Sequence, residues 1–127
     1  MGKRKGLSPT QRTLRALREQ GRIADIVERR FPARPGMPFG GTQDFLGFID
    51  IIALCPERGI VGVQSCGSSF AAHKTKILEE RADVCIEWLN SGGLVELWGW
   101  RKVQLKRGSR EMRWKPRIEE ITLDHFE

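Results

Sequence analysis

The sequence predicts an α/β domain, a mixed central sheet flanked by helices, and three observations carry that expectation. Helical spacing of apolar residues is confined to two segments, near 8–20 and 68–90, while β-branched runs fill 22–31, 44–54, 60–66 and 94–100. DFLGFIDIIAL (44–54) is apolar on both sides of a strand, so other elements must cover both of its faces. Interleaved strands and helices of this kind pack as layers. A chain of 127 residues fits one domain with a single modest core.

Each element follows from local chemistry. MGKRKG opens a basic tail over 1–7, flexible as chain ends are. Ser8-Pro9 reads as an N-cap followed by proline at the first helical position, Leu14 and Leu17 with Thr10 and Thr13 give one apolar side, and Gly21 stops the helix. Arg22 to Phe31 alternates in strand fashion. ARPGMPFGGTQ (33–43), rich in proline and glycine, reads as a long loop of the kind that is often functional. The 44–54 strand turns through PERG into an antiparallel partner, IVGVQSC (60–66). Ser68 or Ser69 caps a helix reaching about Asn90, with a core stripe of Ala71, Thr75, Leu78, Ala82, Cys85 and Leu89, and SGG ends it. LVELWGW (94–100) is a strand, 102–114 a hairpin around Arg107-Gly108, and IEEITL a closing strand; 101–127 forms a basic C-terminal extension. Trp88, Trp98, Trp100 and Trp114 read as core or sheet-face packing.

Composition narrows function. No run approaches the roughly 20 apolar residues of a spanning helix, and the N-terminus has no secretory pattern, so the expectation is a cytosolic protein with no membrane association. Cys55, Cys66 and Cys85 are odd in number without a CxxC pair, which argues for reduced buried thiols over disulfides or structural zinc. The net charge of +6 is unevenly laid out. Residues 1–35 hold ten basic and three acidic side chains, 36–100 four and eight, and 101–127 eight and five. Basic ends around an acidic middle suit a polyanion held by the ends and a metal held by the centre. Arg12, Arg15 and Arg18 share a helical face that suits a phosphate backbone, and Lys102, Lys106 and Arg107 lie on the basic hairpin.

Asp50 and Gln64 stand at matched depth in two paired, buried-looking strands. Polar groups taken out of water cost a few kcal/mol unless something binds them, so the pair suggests a shared ligand. Each alone also reads as a satisfied structural residue. Asp44 has the strand parity of Asp50, but six residues of extended chain separate the two by about 20 Å, too far to share an ion.

Gly47-Phe48-Ile49-Asp50, a turn, a strand ending Gln64-x-Cys66, and a helix bearing Ala71-Ala72-His73-Lys74-Thr75-Lys76-Ile77 together resemble the core of the PD-(D/E)XK nuclease superfamily. Within it the likeness is to small archaeal Holliday-junction resolvases, VRR-NUC domains and short phage or bacterial proteins, over roughly residues 8–100. The resemblance implies a restriction-endonuclease-like αβββαβ core, Mg²⁺ or Mn²⁺ held by Asp50, the Gln64 oxygen and Glu28, DNA as partner, and a homodimer. It also implies a lysine where Cys66 stands; a thiol with pKa near 8.5 cannot replace an ammonium. Lys76, about 11 Å along the helix from its cap, has the family match, and Lys74 is one turn closer to the strand end. Ser68, Ser69 and His73 would steady a phosphate. The implied activity is a metal-dependent DNA endonuclease acting on branched or structured DNA; the alternatives are a decayed nuclease-fold accessory protein and an RNA-associated basic module.

Overall fold

The structure, a computed structural model, describes residues 6–127. Most of the expected basic tail lies outside the described residues. Ser8 opens α1 (Pro9–Glu19) with a reciprocal cap, its hydroxyl accepting from Gln11 N–H at 3.2 Å while Gln11 Oε1 accepts from Ser8 N–H at 3.1 Å. Then follow β1 (Ile23–Ile26), β2 (Arg29–Phe31), β3 (Gly41–Gln43), β4 (Ile51–Cys55) and β5 (Gly59–Cys66). A helical segment is built of α2 (Phe70–Thr75), a π-helical turn (Lys76–Glu80) and α3 (Ala82–Asn90). A long hairpin, β6 (Leu94–Gln104) and β7 (Met112–Ile121), precedes a final 3₁₀ turn, Leu123–Phe126.

Five strands form one mixed sheet in the order β1-β4-β5-β6-β7. Only β5 and β6 run parallel, and the α2–α3 segment connects them across one face. The expected fold class is therefore met: a mixed sheet with α1 on one side and α2–α3 on the other. Side-chain alternation sorts the core into two layers. Leu17, Ile51, Val61, Val63, Trp98 and Trp100 pack on the α1 side, and Phe48, Ile49, Cys66, Ile77, Leu97 and Ile121 on the other.

Five element boundaries differ from expectation, each for a local reason. The 22–31 strand is two strands, because Val27 N–H bonds to Asp50 O and the chain then leaves the main sheet to pair β2 with β3. That pairing also makes part of the expected 33–43 loop regular. The 44–54 strand begins only at Ile51; Leu46 at φ 55° and Gly47 at φ 81° fold 44–49 into a tight reversal closed by the Phe45–Ile49 bridge. The 68–90 helix is broken, because Arg81 N–H bonds to Lys76 O five residues back and one extra residue enters the turn. The extra residue rotates the stripe, so Phe70, Ile77 and Cys85 are buried while Ala71 and Thr75 are exposed. Finally, 94–104 is one continuous strand, and of IEEITL only 118–121 belong to a strand, the end of β7, while Thr122 caps the 3₁₀ turn that Leu123 opens.

Thr13, expected on the apolar side of α1, is a polar hub. Its hydroxyl accepts from Trp100 Nε1–H and Ser65 Oγ–H, each at 2.8 Å, and donates to Pro9 O at 3.0 Å. All three side chains are buried. Thr13→Val keeps the shape but strands two buried donors, at about 1–3 kcal/mol each. Chemical denaturation should register a loss of about 2–6 kcal/mol with an unchanged m-value.

Candidate metal centre

Asp50 lies just before β4, and Ile51 pairs with Val63, so Asp50 faces Gln64 across the strand pair. Both side chains point to the α2–α3 side of the sheet, and the two residues are 4% and 2% exposed. Gln64 Nε2–H donates to Asp50 Oδ2 at 2.8 Å, and the Ser65 backbone N–H donates to the same oxygen at 2.8 Å. The tight 44–49 reversal brings Asp44 back over this pair: Gln64 Nε2 lies 3.4 Å from Asp44 Oδ2, and Lys76 Nζ 3.3 Å from the same oxygen. Glu28, two residues beyond β1, completes the group. One carboxylate oxygen each from Glu28, Asp44 and Asp50 lies within 4.8 Å of the others.

The expectation that Asp44 is about 20 Å from Asp50 is thus overturned, because 44–50 is a reversal and not an extended strand. Glycine in the middle of the apolar run FLGF was the sequence signal for it. Asp44 is the site residue that strand reasoning missed.

Electrostatics match the crowding. Burial is the main cause that pushes the Asp50 carboxyl up to about 7, with Asp44 beside it adding to the rise. Burial also acts to raise Asp44, but hydrogen bonds from Asp50, Gln64 and Lys76 and the lysine's charge outweigh it and hold Asp44 below the ordinary value. The folded protein therefore keeps a proton on Asp50 that the unfolded chain releases between pH ~4 and ~7. Through that window stability falls as pH rises. At 1.36 kcal/mol per pKa unit the fall is on the order of 4 kcal/mol. Denaturation midpoints measured from pH 4 to 8 should show that decline, and Asp50→Asn should flatten it.

A second feature is the Gln64 amide itself. Gln64 Oε1 is fully buried and has no hydrogen-bond partner among the described residues. With carboxylates alone in front of it, the amide presents its N–H. A half-turn exchanges oxygen and nitrogen, and once Asp50 is ionised, aiming the oxygen among the carboxylates is favourable when a cation lies between them. The three carboxylates, joined by the amide oxygen once Gln64 is turned, would form a hard, all-oxygen donor set suited to Mg²⁺ or Mn²⁺. The residues present fit such an ion.

The other expected site residues are divided by the fold. Lys76, first residue of the π-helical turn, reaches Asp44, whereas Lys74 is bound to Glu119 at 2.7 Å and holds that carboxyl below its usual range. The reach argument for Lys74 is thereby corrected. Cys66 is buried on the same face as Gln64, and burial followed by the Asp50 charge raises its thiol, so it remains neutral. His73 Nδ1 lies 3.0 Å from Ser69 Oγ and 2.9 Å from Ser69 O, tying it to the start of α2. Ser69 is the N-cap of α2, makes no side-chain cap bond, and is exposed like Ser68.

The α1 arginines sit across the sheet from the acids. Arg12 stacks on Trp114 at 4.1 Å, Arg15 pairs with Glu19 at 3.3 Å, and Arg18 bonds to Ala24 O and Asp25. Lys102 Nζ lies 5.3 Å from the ring of the exposed Trp114, and Lys106 and Arg107 are exposed at the β6–β7 turn. These cations form a surface separate from the acidic centre. Among the described residues no helix is long and apolar enough to cross a membrane.

No protein family, curated protein or solved structure matches the chain. What can be said of its chemistry comes from this centre.

Proposed function

We propose that the protein is a metal-dependent DNA endonuclease of the restriction-endonuclease-like kind, acting on branched or otherwise structured DNA. The observation that carries this is the convergence of Glu28, Asp44 and Asp50 with the Gln64 amide against them and one lysine, Lys76, at the edge of the group. A divalent ion held by those oxygens would polarise a phosphoryl oxygen and make water a better nucleophile. Lys76 holds Asp44 ionised and offers an ammonium to the negative charge that grows on the phosphorus oxygens during hydrolysis. It thereby takes the part that Cys66 cannot. Asp50 binds the ion only after losing its proton, so metal binding strengthens as pH rises through about 7. The net charge of +6 and the basic surface around Trp114 supply backbone attraction outside the centre. Paired incision of a symmetric junction needs two such centres and hence a dimer.

The test is incubation of the protein with a labelled four-way junction and with linear duplex in Mg²⁺ and in Mn²⁺. Metal-dependent cleavage with preference for the junction is expected. Binding without cleavage in either metal would overturn the catalytic reading and leave a decayed nuclease fold; a preference for RNA indifferent to DNA structure would replace it with an RNA-associated module.

A further inference from the structure

Beside the acids, the 44–47 reversal, β2 and the break before α3 enclose a cleft of about 600 Å³. This is within the range of small-ligand sites, roughly 300–1,000 Å³. Asp44 belongs to both the cleft and the acidic centre, so the two are continuous. The remaining wall is chemically mixed. Arg29 and Arg81 line it, and neither forms an ion pair with a described residue. Arg81 lies directly on Gly47, where an added Cβ would come within 2.6 Å of its Nε, so the reversal and the guanidinium are packed as one unit.

Phe45 and Leu46, at 40% and 45% exposure, face water on the same wall, and Gln43 stands at its edge. Leu46 moreover adopts φ 55°, a conformation costly for leucine that asparagine or glycine would take more easily. Strain plus exposed apolar surface is a poor choice for a turn whose only task is to reverse the chain.

An aromatic face, an amide and two unpaired guanidiniums within one cleft are the groups that hold a nucleotide: the ring stacks a base, the amide meets its edge and the arginines take its phosphate. We infer that this cleft takes one unpaired nucleotide of the DNA substrate, with its phosphate directed toward Asp44 and the acidic centre. A base inside an intact duplex cannot enter, because both its faces are already stacked and its edge is paired. The pocket would therefore supply selectivity for forks, bulges and junction centres over plain duplex. The inference rests on the nuclease reading for its substrate and its position next to the scissile phosphate.

The test uses a forked DNA carrying 2-aminopurine at the first unpaired position, and a fully paired duplex of the same sequence, both titrated in Ca²⁺ to measure binding without turnover. The native protein should bind the fork about 10-fold more tightly and quench the 2-aminopurine. Phe45→Ala and Arg81→Ala, both at exposed positions, should each lower the fork-to-duplex ratio by about 10-fold, the worth of one base stack or one charged contact. Arg81→Lys should restore part of the ratio. Equal binding of fork and duplex, or a ratio unmoved in both alanine variants, overturns the pocket. Cleavage assayed in parallel in Mg²⁺ separates the two claims: cleavage with equal binding leaves the nuclease standing without the pocket, and a Phe45-dependent fork preference without cleavage leaves the pocket standing without the nuclease.

Discussion

On the proposed nuclease reading, Asp50→Asn and Asp44→Asn should each reduce metal-dependent DNA cleavage by at least about 10³-fold, the factor corresponding to some 4 kcal/mol of lost transition-state stabilisation. The two variants part company in stability. Asp50 is buried with its carboxyl raised to about 7, so at pH 8 the folded protein keeps an ionised group in a site that disfavours it. Asparagine removes that charge and can still accept the Ser65 N–H, so Asp50→Asn should raise the unfolding midpoint at pH 8. Asp44 is favourably ionised by Lys76 and Gln64, and its replacement by asparagine gives up that attraction with no gain in return. Calorimetry at pH 8 alongside a single-turnover cleavage assay reads both effects. A more stable, inactive Asp50→Asn protein separates a functional acid from a structural one, because a residue retained for stability does not stabilise when neutralised.

The second large effect distinguishes two lysines that are two residues apart. Lys76→Ala should lower the cleavage rate by about 10²-fold, within the range expected for removal of one charge-stabilising donor. Lys74→Ala should leave the rate within a few-fold of native, since its ammonium is 2.7 Å from Glu119 and not at the acids. Two residues apart on a helix, the two side chains leave on nearly opposite sides, and the structure directs Lys76 to Asp44 and Lys74 to Glu119. Rescue of the Lys76→Ala rate by arginine at the same position, with Lys74 unchanged, would show that positive charge at that point is what matters.

The fold class, the α1 cap and the pairing of β4 with β5 were legible because they depend on local periodicity and turn chemistry, which short stretches of sequence express directly. Asp50 and Gln64 were legible for the same reason, as polar residues in apolar strands. Asp44 was not. Its proximity depends on a left-handed Leu46, a conformation that leucine's intrinsic preferences argue against and that neighbouring structure must impose. The polar role of Thr13 is likewise hidden in sequence, since its partners Ser65 and Trp100 lie 52 and 87 residues away. The separation of the α1 arginines from the acids is also a matter of sheet sides, set once β1 and β4 are in register and invisible in charge counts. In sequence only the resemblance points to Lys76, and the fold brings its ammonium to 3.3 Å from Asp44.

The centre itself is tested most directly by titrating Mn²⁺ into the protein at pH 8 by calorimetry and repeating the titration with Asp44→Asn and with Gln64→Leu. The expected result is saturable binding by the native protein, accompanied by proton release from Asp50 that grows as the pH is lowered toward 7, with affinity at least about 10-fold weaker in both variants. Binding that is absent at millimolar Mn²⁺, or that is indifferent to the loss of the Asp44 charge and the Gln64 oxygen, would contradict a cation held among these residues.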